Sequence, residues 1–176
     1  MLAMGAYTPI DRFMDEEDWR LCCEGMTTKN GLFWPIPITM SCGEDVADNI
    51  SIGDEIALID TSYSQILAIQ TVTEKYTIDK HFECQEVFRT TDENHPGVQK
   101  VMQQSAVNLA GPIVALSEGN YPEKYKGLYF RPEETRTMFK EYGWSKVAAF
   151  QTRNPMHRSL SLIHISEPTR RYASSY

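Results

Sequence analysis

No apolar run in this 176-residue chain approaches the roughly 18 residues that a membrane-crossing helix needs. Its first residues, Met1-Leu2-Ala3-Met4, carry no basic side chain and do not make the n-region of a secretory signal. Cysteine is scarce and poorly spaced. Cys22, Cys23, Cys42 and Cys84 contain no C-x-x-C pair, and the adjacent Cys22 and Cys23 cannot join each other without strain. With neither a disulfide framework nor a secretion signal, reduced thiols in a cytoplasmic protein are the expectation. Basic residues are also in deficit, 17 against 24 acidic, for a net charge of −7. Such a chain repels nucleic acid and anionic membrane, whose binding rests on a basic footprint, so neither is expected as a partner. Histidine is sparse too. No cysteine, aspartate or second histidine stands at ligand spacing from His95 on a common helix, and His81 lies on a helix among charged residues, so no metal site is expected. Each of these two histidines is read as a local hydrogen-bonding residue, His95 as the anchor of a loop.

What is present changes period along the chain. From Asp15 to Glu24 the spacing predicts a helix: Trp19, Cys22, Cys23 and Met26 fall at i, i+3, i+4 and i+7, acids occupy the first turn, and Gly25 supplies the stop. From Leu32 to Ile78 the period falls to two. Trp34-Pro35-Ile36-Pro37-Ile38 alternates, with prolines that force an edge or irregular strand. Strands are expected at 55–59, after the turn at Gly53-Asp54, and within 65–77, where Ile66, Ala68, Val72 and Tyr76 are the apolar members. This spacing indicates a compact barrel or rolled sheet. Asp79 should cap a helix to Arg89 that buries Phe82, Val87 and Phe88, followed by a loop over 90–97 and a short helix near 98–104. Ile113-Val114-Ala115-Leu116 reads as a further strand, and 119–131 as the connection between domains.

The chain then turns to a second pattern. Arg131-Pro132-Glu133-Glu134 opens a helix with proline at its first turn, and Thr135, Met138, Phe139 and Tyr142 make its apolar face before Gly143. Val147-Ala148-Ala149-Phe150 reads as a buried strand over 145–150 that stops at Gln151-Thr152-Arg153-Asn154-Pro155-Met156-His157-Arg158. A strand that feeds a helix start leaves free N–H groups and the positive end of a helix dipole, where anions bind. Two arginines, a histidine and two amides within that stretch suit phosphate or sulfate.

The stretch 151–158 resembles the signature of the ATP sulfurylase (sulfate adenylyltransferase) family. Gly5-Ala6-Tyr7-Thr8-Pro9 with Phe13-Met14, Asn30 to Thr39, and Thr90 to Val98 resemble that family in the same order, so the likeness covers about residues 2–158. It implies an α+β chain: a PUA-like β-barrel over 1–120, then over 121–158 a linker and the start of an α/β, Rossmann-like nucleotidyltransferase domain. The implied reaction joins ATP and sulfate into adenosine 5′-phosphosulfate and pyrophosphate, with Mg²⁺ carried by ATP and a homo-oligomeric parent enzyme. The resemblance places Gln151 and Arg153 on sulfate. It assigns Gln151, Thr152, Arg153, Asn154 and His157 to ATP, with Thr152, Arg153, Asn154 and His157 as the catalytic set. The rival function is a PUA-like module that binds RNA or a ligand without catalysis.

The resemblance is interrupted at both ends. Family members begin several dozen residues earlier, so Met1 reads as an internal methionine or a fragment start. Leu160 stands where the family has a second histidine, and its glycine-rich nucleotide loop does not follow. The run from Leu160 to Arg170 resembles one reading frame of a transposase-based sequencing adapter, so 159–176 is expected to be an artefactual tail. On this reading the truncated chain is inactive alone, and the helix and strand after Arg131 leave apolar side chains exposed for want of sheet neighbours.

Overall fold

The computed structural model describes residues 1–148. The chain divides into two units, Met1–Tyr129 and Phe130–Tyr176.

In the first unit one strand organises the rest. Twelve elements run along the described chain: β1 (Arg12–Phe13), α1 (Glu16–Gly25), β2 (Ser41–Cys42), α2 (Glu44–Asp48), β3 (Glu55–Asp60), β4 (Gln65–Thr71), β5 (Glu74–Thr77), α3 (Lys80–Phe88), α4 (Pro96–Met102), β6 (Val107–Ala115), α5 (Tyr121–Lys124) and α6 (Pro132–Glu141). Strand β6 pairs antiparallel with four others. Its first half lies between β2 and β5, with Asn108 opposite both Ser41 and Tyr76. Its second half lies between β1 and β4, with Pro112 opposite Arg12 and Val114 opposite Ile69. Gly111 stands at the change of partners. Its φ is +140°, and a Cβ there would sit 1.9 Å from the Thr71 carbonyl oxygen, so only glycine lets the two backbones approach. The sequence expectation began this strand at Ile113, because Asn108, Gly111 and Pro112 look like breakers when read locally. In the fold all three lie within β6, Asn108 in its first half and Gly111 and Pro112 where the partners change.

Helix α1 forms as the periodicity predicts. The Asp15 carboxylate accepts the Asp18 N–H at 2.9 Å, and Trp19, Cys22 and Cys23 are buried. Its end differs from the expectation. Gly25 is still helical, and Met26 takes the left-handed position (φ 50°), which swings its side chain out of the buried face to 45 % exposure. Residues 34–38 form no strand either. Pro35 and Pro37 donate nothing, and the segment is held by Trp34 N–H to the Met26 carbonyl (2.8 Å) and Met14 N–H to the Ile38 carbonyl (2.9 Å). Strands β3, β4 and β5 fall where period two placed them.

Two apolar clusters make the core: Trp19, Cys23, Tyr76 and Ala110, with Ile78, Phe82 and Val87 against them, and Cys84, Val98 and Val101, with Phe88 and Met102. In α3, capped by Asp79 as expected, the deeply buried residues are Glu83 and Cys84, while Phe82, Val87 and Phe88 are half-buried. The described pairings form one six-stranded antiparallel sheet accompanied by helices, an α+β arrangement. They do not close a ring, since β3 pairs only with β4 and β1 only with β6.

In the second unit, α6 begins and ends as predicted. Residues 145–148 of the expected strand carry no strand pairing, and Val147 is half exposed. A strand exists only through a neighbour, and the described part of this unit offers none. The start of a Rossmann-like sheet is therefore not seen among the described residues. The rest of that strand, the anion-binding stretch and the expected tail at 159–176 lie outside the described residues.

Candidate functional site

Helix α6 carries the chain toward the candidate site. The Glu134 carboxylate accepts the Arg131 N–H at 2.6 Å, half of a capping box, and Pro132 fills the first turn. Gly143 (φ 68°) reverses the chain after Tyr142. Trp144 then folds back: its N–H reaches the Phe139 carbonyl at 2.9 Å, and its ring lies 5.0 Å from Tyr142 and 6.0 Å from Phe139. These contacts fix the turn that follows α6. Gln151, Thr152, Arg153, Asn154 and His157 themselves lie outside the described residues.

In the first unit several titratable groups help to hold the fold. His95 caps α4, its Nδ1 accepting the Gly97 N–H at 3.2 Å, with its ring 5.1 Å from Phe88. This is the loop anchor that the sequence suggested. His81 sits in the first turn of α3, where its N–H donates to Asp79. Among the described residues no three His, Cys, Asp or Glu side chains gather to hold a metal ion. All four cysteines are free. Burial, with Glu83 and Asp18 nearby, pushes the Cys22 thiol up to about 12, and burial raises Cys23 as well, so these are inert packing groups rather than nucleophiles.

A cleft of about 320 Å³ opens between the β1 approach and the 28–32 loop, lined in part by Arg12, Asp18, Lys29 and Asn30. Its charges neutralise one another. Lys29 pairs with Asp15 and reaches Asp18 at 3.7 Å, while Arg12 pairs with Asp11 at 2.8 Å. Burial pushes the Asp15 carboxyl up, but the Lys29 ammonium and the Asp18 N–H outweigh it and hold its pKa below the usual value. Nothing in this cleft offers an uncompensated charge to a substrate.

The comparisons with known proteins separate along the same chain. A family model described as a PUA-like domain matches residues 1–118. The chain belongs to the PUA-like domain family. Beyond that domain, the ATP-sulfurylase family model matches residues 126–166, a range that contains all five candidate site residues. Proteins named sulfate adenylyltransferase are similar across both parts. The Syntrophobacter fumaroxidans protein is 54% identical over 160 residues, that of Chlorobaculum tepidum 53% over 159, and that of Thiobacillus denitrificans 52% over 159. In each case the match covers 90% of this chain and 39% of the relative, so the chain spans about two fifths of the length of these relatives. A solved structure described as "Hexameric APS kinase from Thiobacillus denitrificans" superposes with a TM-score of 0.68 at 24% identity, covering 97% of this chain and 29% of that one, which supports the fold. These matches favour the sulfate adenylyltransferase family over a free-standing RNA- or ligand-binding module.

Within the PUA-like domain the polar residues that matter most for structure escaped the sequence reading. Glu83, 4 % exposed, accepts the Trp19 indole N–H at 2.7 Å and ties α3 to α1. Burial raises its pKa, a shift that the Trp19 hydrogen bond only partly offsets. Gln70 donates to the Leu109 carbonyl of β6 at 2.9 Å. One signal was available: a buried indole N–H needs an acceptor, and Glu83 follows Phe82 on the inward side of α3.

Proposed function

We propose that this chain contributes the PUA-like domain and the anion-binding stretch of a sulfate adenylyltransferase. The reading rests on one observation: the likeness to enzymes of that name runs without a break from the first domain into the 151–158 stretch. In the proposed reaction a sulfate oxygen attacks the α-phosphorus of ATP, and the bond from that phosphorus to the bridging oxygen of pyrophosphate breaks. Sulfate at neutral pH carries no proton to remove, so the work is to strip its water, align it and offset charge. Arg153 offers a planar fork of donors to two sulfate oxygens, and the Gln151 amide N–H reaches a third. Thr152 and Asn154 place a hydroxyl and an amide against the nucleotide phosphates. His157 donates to oxygens that gain charge as pyrophosphate departs. Magnesium arrives with ATP and offsets its phosphate charge.

The free thiols and the absence, among the described residues, of a helix long and apolar enough to cross a membrane agree with a cytoplasmic enzyme. We assign the parent enzyme to the homo-oligomers. The test is a chimera in which the chain continues after Arg158 with the corresponding segment of the Thiobacillus denitrificans relative. It should release pyrophosphate from ATP in a sulfate-dependent manner, whereas the 176-residue polypeptide alone, with Leu160 in place of the second histidine, should not exceed buffer. A folded chimera without sulfate-dependent turnover would count against the proposal.

A further inference from the structure

Strand β3 is a sheet edge of unusual chemistry. It pairs with β4 alone among the described strands, so every second backbone N–H and C=O of Glu55–Asp60 is turned away from the sheet. Native edges are commonly blunted by lysine, proline or a bulge. Here the irregularity in register between Leu58 and Ile59 skips Leu67 on β4, which leaves β3 itself regular. The four central residues, Ile56-Ala57-Leu58-Ile59, are apolar, and no residue of the strand is buried. The register puts Ala57, Ile59, Ile66, Ile69 and Val114 on one face of the sheet, where Ile59 is 56 % and Val114 65 % exposed. An added strand would find hydrogen-bonding groups along the edge and an apolar surface to extend.

Charge selects the occupant. Every charged residue between Lys29 and Lys75 is acidic, and the edge ends in Glu55 and Asp60. Lys75 itself is turned to the end of α2, donating to the Ala47 and Ile50 carbonyls at 2.9 and 2.7 Å. A second copy fits poorly. In-register antiparallel pairing of β3 with itself sets Glu55 against Asp60 at both ends, and like charges directly opposite are destabilising. We infer that the β3 edge is a docking surface for an extended segment of a partner protein, apolar at alternate positions and flanked by basic residues. The same two carboxylates that bar self-pairing recognise that partner. This inference does not depend on the enzymatic reading.

The test uses the full chain and two capped hexapeptides of alternating valine and threonine, one ending in lysine on both sides and one in glutamate. The lysine-ended peptide should slow amide exchange at alternate residues of Glu55–Asp60 and bind at least fivefold more tightly than the glutamate-ended one. Glu55→Lys with Asp60→Lys, both at the ends of an exposed edge, should reverse that preference. Lack of protection in β3, a preference below fivefold, or pairing of β3 between copies in the absence of peptide would each overturn the inference.

Discussion

Helices α1 and α6 each run for ten residues, open with acids in the first turn, and space their larger side chains at i, i+3, i+4 and i+7. Their fates differ. Helix α1 buries Asp18, Trp19, Cys22 and Cys23, because Glu83 of α3, Tyr76 of β5 and Ala110 of β6 meet its inward face. Helix α6 buries nothing, and its Phe139 and Tyr142 meet the ring of Trp144. Periodicity therefore says which face of a helix is apolar, while elements distant in sequence decide how deeply that face is covered.

The largest expected effect tests that contrast directly. Trp19→Ala should cost about 3–5 kcal/mol in urea unfolding, since it removes a fully packed indole and leaves Glu83 without its donor. The matching change on the other helix, Phe139→Ala, should cost less than about 1 kcal/mol, because a half-exposed ring has little burial to lose. Equal costs would break the comparison. Gly111→Ala comes next, at about 3 kcal/mol, since the added methyl meets the Thr71 carbonyl and the backbone is in a region that L-residues avoid. Its thermal unfolding midpoint should drop more than that of Gly53→Ala, where φ is also positive but open space surrounds the position. At the helix starts, Asp15→Ala should cost about 1 kcal/mol, and Glu134→Ala, which touches only an exposed cap, about half of that.

The subtlest effect concerns Glu83. Its folded pKa is raised above 4.5, so the folded state binds the proton more tightly than the unfolded chain. The stability this group contributes is present in full below pH 4.5 and is lost as pH rises through the higher folded value. Glu83→Gln removes that titration. The midpoint of the wild-type chain minus that of the variant should therefore fall between pH 4 and pH 8, read by differential scanning calorimetry. A difference that is flat or grows with pH would show the carboxylate to be well solvated or paired when charged.

Elements built from local chemistry were readable in the sequence: α1 with its Asp15 cap, α3 with Asp79, α6 between Pro132 and Gly143, and the strands β3 to β5 from their alternation. What could not be read depends on register between distant strands. Nothing local in Asn108-Leu109-Ala110-Gly111-Pro112 shows that this breaker-rich run crosses the sheet and changes partners. Trp34 to Ile38 alternates like a strand, but its prolines withhold the donors that a ladder requires. For the candidate site the sequence offers residue types and no geometry. Residue types at 151–158 suit an oxyanion, and no spacing in a single chain tells how far apart those side chains stand.

The central functional claim is that Arg153 holds sulfate, and the most direct measurement compares steady-state kinetics of the chimera described above with its Arg153→Ala form. Loss of one charge-stabilising donor typically costs roughly 10²–10³ in rate. In Arg153→Ala, kcat/KM for sulfate should fall by about that factor. A sulfate kcat/KM within about threefold of the unsubstituted chimera would contradict it.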